Sequence, residues 1–487
     1  MATKKDLVEA YSFSRRRLVT AFVSGAPGGR EVEPTRPGRA IVGGLALAVL
    51  LIAGGAVLGI IKSPSTVDLD KADVLVSEKE TGADYLVVKS EGSDQTELRP
   101  LANITSAMLV LGSDVTSEKV PRKELNSKKI GAPIGILDAP ATPPQRSDLV
   151  QTGWTACTAV PNAPRVGIKV DVSDPPQTTS TPDLSYVVRT ASGDVYVVAE
   201  SAVGTDRSDA ARAYAYLVPK GEARERIVSA VAAGQSAKGA KAVPDQWITL
   251  FPTGGALTLK TFGLSPKDLS SRWRLRDEIT GGEKARVGDL LKVNGSVYLM
   301  TPSGTLKLDP FSEKLYRNLL FPKNRDPADF EAPQVPGGTS IPTAESLPGA
   351  NWPTSLPEQV PKGQLCAQLD TPGGQPGVVL ATTGIDTEAS AAGVGFDDVD
   401  RSVDSGGGAF VQSGSWSGAG PTSPVLVDAR GYAYPVGPGE ETGKLGYADV
   451  DPVVVPQDWL DLFQPGVPLT VDAARCPPTS SSDGSCS

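Results

Sequence analysis

The longest apolar stretch of the chain is residues 41–61, which contains 21 residues and no charged side chain. In a helix with a rise of about 1.5 Å per residue, this stretch would extend over roughly 31 Å, enough to cross the hydrocarbon core of a bilayer. The pattern therefore predicts one transmembrane helix near the N-terminus.

The charges on the two sides of this stretch predict its orientation. Residues 1–40 contain eight Lys/Arg and four Asp/Glu, whereas three aspartates lie between residues 68 and 73. Because positive charge marks the cytoplasmic side, we expect the N-terminus in the cytoplasm and the C-terminal body outside the cell membrane. A cleaved signal peptide is less consistent with a stretch this long and late. Residues 14–19 resemble a twin-arginine export motif, but two prolines separate them from the apolar stretch.

Residues 6–24 show the spacing of a short amphipathic helix, with apolar side chains at Leu7, Tyr11, Leu18 and Phe22. A cytoplasmic basic cluster lies beside them and consists of Arg15, Arg16 and Arg17. Two interpretations remain open. The helix binds the inner membrane surface or a partner, or the basic segment only sets the orientation of the anchor.

Small residues recur near one face of the predicted transmembrane helix, at Gly44, Ala48, Gly55 and Gly59. The Gly-x-x-x-Gly spacing of the last two would let another helix approach closely. Small residues are common in membrane helices, so helix packing at this face is a hypothesis.

Beyond the apolar stretch, alternating apolar residues and Gly-containing turns predict short strands. Three hairpins are expected, with turns at Ser192-Gly193, Ser303-Gly304 and Arg430-Gly431. Residues 243–258 also align without a gap to residues 455–470, and each segment contains one tryptophan. Such repeats indicate several similar small modules. We expect Trp247 and Trp459 to fill the core of their own module, rather than to stack on a ligand.

The composition limits the chemistry that this chain can perform. It contains no histidine, which excludes a Ser-His-Asp triad, a Cys-His pair and a His-based zinc site. The net charge is −9, and the acidic body gives no electrostatic reason to bind nucleic acid. We predict no cofactor and no metal.

The four cysteines all lie in the predicted extracytoplasmic region, where disulfides are favoured. Four cysteines allow three pairings. Cys476 and Cys486 lie in a Pro/Ser/Gly tail and could close a small loop. Cys157 and Cys366 would then form either a long-range bridge or two buried thiols.

Several segments occur in a fixed order together with the single predicted anchor: residues 11–19, 98–107, 135–140, 154–157, 365–366, 404–411 and 434–436. In this order they resemble the EccB family, a membrane component of actinobacterial type VII (ESX) secretion systems. It implies an α+β, β-rich fold in which a single-pass membrane anchor precedes an elongated extracytoplasmic body. That body would combine a β-rich central domain with four similar small α/β repeat domains.

The resemblance also implies a domain organisation and a set of partners. It implies a disulfide between Cys157 and Cys366 and leaves the pairing of Cys476 and Cys486 open. It also implies assembly with EccC, EccD and EccE, and pairing of the extracytoplasmic body with a second copy as a dimer. With these expectations the chain divides into a cytoplasmic basic segment (1–40), a transmembrane helix (41–61), repeat 1 (68–125), the N-terminal half of the central domain (126–185), repeat 2 (186–258), repeat 3 (285–321), a Pro/Gly-rich arm with the C-terminal half of the central domain (322–424), repeat 4 (425–472) and a disordered tail (473–487).

The family has carried an ATPase attribution, so ATP is the one cofactor that the resemblance raises. The segment most similar to a Walker A loop is residues 437–445, but its glycine spacing is wrong and Leu445 replaces Ser/Thr. Glu440 and Glu441 would repel phosphate. No Ser-x-x-Lys motif is present, and residues 404–406 match only half of an aspartic-protease motif.

The sequence thus predicts a structural subunit of a secretion machine. Two alternatives are a membrane-anchored extracytoplasmic enzyme or ATPase, and a module that binds cell-wall glycan through its repeated aromatic-bearing units.

Overall fold

The computed structural model describes residues 3–24, 37–62, 67–90, 93–160, 165–201, 212–322, 325–337, 341–342, 347 and 350–478. It divides the chain into two compact units, Met1–Thr66 and Val67–Ser487.

The first unit contains two helices, α1 (Lys4–Ser24) and α2 (Pro37–Lys62). At the start of α1, the Asp6 carboxylate accepts hydrogen bonds from the hydroxyl and the backbone N–H of Thr3, and these lower the pKa of Asp6. Helix α2 includes the predicted segment 41–61, and its side chains are described as far as residue 54. Within the described residues, no helix has the length and hydropathy that crossing a membrane requires.

The second unit begins with a five-stranded sheet, sheet I, and the first strands of a central sheet. The elements of this region are β1 (Val74–Glu78), β2 (Asp84–Lys89), β3 (Thr96–Pro100), α3 (Ile104–Leu111), β4 (Ser117–Val120), α4 (Arg122–Leu125), β5 (Lys129–Ile130), β6 (Trp154–Thr158), β7 (Ile168–Val172) and β8 (Thr179–Ser180).

Two further sheets, sheet II and sheet III, follow along the chain. Sheet II is built from β9 (Ser185–Arg189), β10 (Val195–Ser201), β11 (Arg212–Val218) and β12 (Lys241–Ala242), with helices α5 (Arg224–Val231) and α6 (Asp245–Ile248). Sheet III is built from β13 (Leu290–Val293), β14 (Ser296–Met300), β15 (Thr305–Leu308), β16 (Asp329–Glu331) and β17 (Ile341–Pro342), with helix α7 (Pro310–Asn318).

The C-terminal region of the chain completes the central sheet and forms sheet IV. Strands β18 (Gln364–Asp370), β19 (Gly377–Thr383) and β20 (Val399–Val403) join β6, β7 and β8 in the order β20-β7-β6-β18-β19-β8. Sheet IV consists of β21 (Gly408–Ser415), β22 (Gly418–Asp428), β23 (Tyr432–Pro435), β24 (Val453–Pro456) and β25 (Gln464–Pro465), with helices α8 (Glu441–Lys444), α9 (Gln457–Leu460) and α10 (Val471–Arg475).

Sheets I to IV share one topology. In each, three consecutive antiparallel strands form the middle, and a later strand adds parallel to the first of them. In sheets I, III and IV another short strand adds parallel to the third. In sheet II the corresponding contact is a single bridge between Ala215 and Thr253.

The three hairpins predicted from the sequence are formed by β9–β10, β14–β15 and β22–β23. At the last turn, Gly431 has a φ of +78°, and a Cβ there would come within 2.9 Å of the Cβ of Arg401. A glycine is therefore required for both conformation and space.

Three sheets extend beyond the ranges expected for their modules. Strand β5 of sheet I lies in the range 126–185 that was assigned to the central domain. Strands β16 and β17 of sheet III lie in the segment 322–424 that was assigned to the arm, and so does β21, the first strand of sheet IV. Strands of two or three residues are too short to show alternation, and β21 is rich in Gly and Ser, so the pattern did not reveal these pairings.

Three clusters of buried side chains cross module boundaries, whereas sheet I has a core of its own around Val76, Val87 and Leu98. One cluster of buried side chains joins sheet II to sheet III, a second joins sheet II, sheet IV and the central sheet, and a third joins sheet IV to residues of α3 and residues 136–139. Sheet II is buried on both faces. On β10, Val197 belongs to the first cluster and its neighbour Val198 to the second.

Candidate functional site

The central sheet is closed by a disulfide between Cys157 on β6 and Cys366 on β18. The two residues lie directly opposite each other in an antiparallel pair, with 4.0 Å between their Cα atoms. Both side chains are fully buried. The bridge joins positions separated by 209 residues, so it holds together the segments before and after sheets II and III.

The other two cysteines lie in the C-terminal segment. Cys476 is buried and disulfide-bonded, and its carbonyl oxygen accepts the N–H of Gly135 at 3.0 Å. Cys486 and most of the predicted tail 473–487 lie outside the described residues.

Trp247 connects sheet II to the central sheet. It lies on α6, is fully buried, and donates its indole N–H to the carbonyl oxygen of Ala156 on β6 at 2.9 Å. Its ring packs edge-on against Phe251, with 5.0 Å between the ring centroids. The Tyr186 ring centroid lies 6.2 Å from that of Trp247, and burial raises the pKa of the Tyr186 hydroxyl.

Trp459 occupies the corresponding position on α9 of sheet IV. It is fully buried and donates its indole N–H to the carbonyl oxygen of Leu250 at 3.2 Å. Both tryptophans belong to the core shared by sheet II, sheet IV and the central sheet. Trp247 packs against Tyr186 and Phe251 of its own module, as expected, but the core to which both tryptophans belong extends into neighbouring modules. The tryptophans therefore also join modules, which the sequence did not predict. Neither ring offers a free face to a ligand.

Two of the segments that resemble the EccB family bind each other. Asn103 caps α3 by accepting the N–H of Ser106 at 2.9 Å, and its side-chain amide donates to the carbonyl oxygen of Ile136 at 2.7 Å. The Ser106 hydroxyl accepts the N–H of Ile136 at 2.9 Å, and the Thr105 hydroxyl donates to the carbonyl oxygen of Pro140. The polar residues of 98–107 thus hold the strap 134–141.

The opposite side of this strap contacts sheet IV. Arg430 and Tyr434 both donate to the carbonyl oxygen of Asp138, at 3.3 and 3.2 Å. Asp428 is buried, and its carboxylate accepts the Tyr434 hydroxyl at 3.2 Å and pairs with Arg430 at 2.8 Å. Burial beside this carboxylate raises the pKa of Tyr434. Nothing in the spacing of Asp428, Arg430 and Tyr434 along the sequence predicted this network.

Sheets II and III are joined through their helices, because α5 packs against α7. The guanidinium of Arg226 on α5 donates to the carbonyl oxygens of Asn318 and Leu319, at 3.2 and 2.9 Å, at the end of α7.

A buried ion pair inside the sheet III module was not predicted. Arg325 lies 2.9 Å from Asp289, whose residue is 2% exposed. The Asp289 carboxylate also accepts the N–H groups of Ala328 and Arg286, at 3.0 and 2.8 Å. Arg325 further donates to the carbonyl oxygens of Leu269 and Val287. It therefore attaches the segment that follows α7 to the module, a role with no sequence signature.

In the segment that resembles a Walker A loop, residues 437–445, the carboxylates of Glu440 and Glu441 bind the N–H groups and the lysine that a phosphate would need. One Glu441 oxygen accepts the N–H of Gly439 at 3.0 Å and the other accepts the N–H of Val471 at 3.3 Å. Lys444 donates to the carbonyl oxygen of Val110 at 2.9 Å and pairs with Glu440 at 3.6 Å. The groups that would hold a phosphate are used here in packing α8 against α3.

The remaining site predictions fall in the first unit or concern metals. Arg15, Arg16 and Arg17 are exposed on α1, and Gly44 and Ala48 are exposed on α2. Gly55 and Gly59 also lie on α2, in the part of the helix whose exposure is not described. Across the described ranges, no group of three or more Cys, Asp or Glu side chains is suited to hold a metal ion.

Sequence comparison places this chain among type VII secretion proteins. A family model described as type VII secretion system ESX-1, transport TM domain B, matches residues 1–478. The ESX-1 secretion system ATPase EccB1 of Mycolicibacterium smegmatis (strain MKD8) is 28% identical over 469 residues, which cover 90% of this chain and 87% of that protein. EccB1 of Mycobacterium tuberculosis (strain ATCC 25618 / H37Rv) is 29% identical over 161 residues, which cover 33% of this chain and 32% of that protein.

Two solved structures have the same mixed α/β, sheet-rich fold. The EccB3 dimer from the ESX-3 core complex has a TM-score of 0.59 at 18% identity, covering 82% of this chain and 99% of that chain. A chain of the intact ESX-5 inner membrane complex has a TM-score of 0.55 at 18% identity, covering 97% of this chain and 95% of that chain. Since the family model spans nearly all of its residues, the chain belongs to the EccB family of type VII secretion systems.

Proposed function

We propose that this protein is a structural membrane subunit of a type VII secretion machine and scaffolds the extracytoplasmic side of the translocation complex. The observation that carries the proposal is how these residues are used. Asn103 and Tyr434 bind the strap 134–141 from two different modules. The Cys157–Cys366 bridge ties together the two parts of the chain that form the central sheet. A subunit that holds neighbours needs a rigid body, and shared cores with a buried disulfide provide one.

We further propose that residues 41–61 anchor the protein in the cell membrane as a single span, with the N-terminus in the cytoplasm and the body outside. Support comes from the uncharged sequence of this segment, from the continuous backbone helix Pro37–Lys62, and from the exposure of its large apolar side chains between Ile41 and Ile52. Lipid would cover those side chains. Gly44, Ala48, Gly55 and Gly59 are the proposed face for a neighbouring helix.

The proposed partners are EccC-, EccD- and EccE-type subunits, and a second copy of this chain. The EccB3 protein of the ESX-3 core complex is described as a dimer, and the ESX-5 relative belongs to an inner membrane complex. The basic cluster Arg15–Arg17 and the exposed apolar side chains of α1 are available on the proposed cytoplasmic side.

Within the body, the proposed organisation is a central domain with four repeats on sheets I to IV, corresponding to the expected ranges 68–125, 186–258, 285–321 and 425–472. The common strand order of the four sheets supports it. Residues 1–40 remain the proposed cytoplasmic segment. The start of the expected tail 473–487 is corrected, because residues 473–475 belong to α10 and Cys476 is buried.

The test is purification of the full chain from membranes in mild detergent, followed by native mass measurement. A large complex that contains an ATPase subunit is expected. A charge-reversed Arg15→Glu/Arg16→Glu/Arg17→Glu chain should lose cytoplasmic partners, whereas Lys238→Glu, an exposed change in the body, should retain them. Recovery of the wild-type chain only as a lone monomer would count against the scaffold.

A second candidate function is ATP hydrolysis, since the EccB1 relatives are named ATPases. The assay is phosphate release by the purified full chain, compared with Lys444→Ala. Turnover that Lys444→Ala abolishes would replace the scaffold proposal with an enzyme.

A further inference from the structure

Two arginines lie directly opposite each other at the edge of the sheet III module. Arg272 and Arg286 form an antiparallel bridge. The flanking hydrogen bonds run from Trp273 N–H to the Ala285 carbonyl and from Val287 N–H to the Ser271 carbonyl, each 3.0 Å long. In this arrangement the two facing side chains project to the same side and are close together.

That side faces solvent. The neighbours Trp273, Ala285 and Val287 are buried, and side chains alternate along paired strands, so Arg272 and Arg286 point outward and are exposed. Among the described residues, neither guanidinium makes a hydrogen bond or an ion pair. Like charges directly opposite each other destabilise a strand pair, so folding does not explain this pair.

Two acidic groups of the same module are engaged elsewhere, whereas Glu283 is exposed on the segment that carries Arg286. The Asp289 carboxylate is held by Arg325 and by backbone N–H groups, and the Asp268 carboxylate accepts the hydroxyl and N–H of Ser265. Two more exposed cations, Arg274 and Lys284, belong to the same two segments as the arginine pair.

The charge of the chain changes sign across this region. Residues 260–317 contain eleven Lys/Arg and seven Asp/Glu, whereas residues 318–487 contain seven Lys/Arg and twenty-one Asp/Glu. The segment 448–461 of sheet IV carries four aspartates and no basic residue. Asp449 pairs with Arg146 at 3.1 Å, and Asp461 accepts the side-chain amide of Gln457 at 2.6 Å. Asp451 and Asp461 are exposed. The complementary charge for the arginine pair is therefore present on this same chain.

We propose that Arg272 and Arg286 dock onto the acidic face 448–461 of a second copy. This inference rests on the proposed pairing of two copies and assigns it a surface. Guanidinium groups bind carboxylates through two parallel hydrogen bonds, which fixes geometry as well as charge. In a two-fold dimer each copy would supply both faces, so the contact would form twice. An anionic membrane or polymer would instead be repelled by the acidic residues that dominate the rest of the body.

The test is sedimentation velocity of the full chain in detergent at low and high salt. The double variant Arg272→Glu/Arg286→Glu should weaken dimerisation roughly tenfold or more, and salt should weaken the wild type. The control Lys260→Glu/Lys314→Glu makes the same change in charge at exposed positions of the same basic region, residues 260–317, and should leave the dimer intact. Mixing the arginine variant with Asp451→Lys/Asp461→Lys should restore a mixed dimer.

The possible outcomes distinguish failure of the proposed docking surface from failure of the proposed dimerisation. A dimer that tolerates the arginine variant as well as it tolerates the control overturns the docking surface and leaves the pairing in place. A wild-type chain that is monomeric under all conditions overturns both. If the arginine variant loses only binding to vesicles that contain anionic lipid, the partner is a membrane and the proposal is wrong. Circular dichroism should be unchanged in both double variants, because all four positions are exposed.

Discussion

The indole nitrogen of Trp459 lies 3.2 Å from the carbonyl oxygen of Leu250, so a side chain of the sheet IV module donates a hydrogen bond to the backbone of the sheet II module. The two residues are 209 positions apart, and both are fully buried. This contact and the one between Trp247 and Ala156 give the tryptophan repeat its structural meaning: each ring closes a module against a neighbour.

We predict that Trp459→Ala lowers the free energy of unfolding by about 3–5 kcal/mol, because it leaves a cavity in the shared core and an unpaired carbonyl. Denaturant titration followed by circular dichroism measures the change. Trp416→Phe is the control: Trp416 is only partly buried, so this change should cost less than about 1 kcal/mol. If both variants lowered the free energy of unfolding by the same amount, the position of Trp459 between two modules would not explain its contribution to stability.

The Cys157–Cys366 bridge should resist reductants in the native protein, because both sulfur-bearing side chains are fully buried. Its removal by Cys157→Ala/Cys366→Ala should cost about 2–5 kcal/mol. The measurement is thiol labelling after treatment with a reductant, with and without denaturant. It is made in a Cys476→Ser/Cys486→Ser background, so that only Cys157 and Cys366 can be labelled. Rapid labelling after reduction of the folded chain would contradict the prediction.

Asp289→Ala should destabilise the sheet III module by about 3–5 kcal/mol, since it leaves the Arg325 guanidinium buried without its partner. The matched control is Asp329→Ala, which breaks the 2.8 Å ion pair with Arg317 at a position where the Asp329 side chain is 61% exposed. That loss should be about 0–1 kcal/mol. Amide hydrogen exchange across residues 269–330 checks both, and similar protection in the two variants would refute the ranking.

Glu200 provides a prediction on pH. Burial raises the pKa of its carboxyl above the ordinary 4.5, although one oxygen accepts the N–H of Leu380 at 3.0 Å. A raised pKa means that the folded state binds the proton more tightly, so stability falls as the pH rises from 4.5 through the folded pKa. Glu200→Gln removes this loss and should be at least as stable as the wild type at neutral pH, with a difference that shrinks toward pH 4.5. Thermal unfolding of both proteins between neutral pH and pH 4.5 measures this difference. A stability advantage of Glu200→Gln that grows on acidification would contradict the prediction.

Sequence patterns predicted features that form between residues close together in the chain, and they did not predict contacts between distant segments. The hairpins at Gly193, Gly304 and Gly431 were predicted because a turn and its two flanking strands lie within a dozen residues. The tryptophan repeat was visible, but the role of Trp247 and Trp459 was not, since a partner from another module leaves no periodicity in the chain. Strands β16 and β17 are edge strands of two or three residues, too short for any alternation to show.

The polar network around the strap 134–141 shows the same limit. Asn103 and Ser106 could be recognised as a capping pair at the start of a helix, which is a contact over three residues. Their bonds to Ile136, and the contact of Asp138 with Tyr434, join positions that no spacing rule connects. Asp289 and Arg325 likewise resemble ordinary surface charges until the fold brings them together.

Val197 and Val198 are adjacent on β10, yet they complete two different cores. A slip of this strand by one residue against β9 or β11 would exchange the two side chains and spoil both cores at once. Two separate cores therefore require the same pairing register of β10. A shift of the strand along its neighbours cannot compensate for an insertion or deletion within β10.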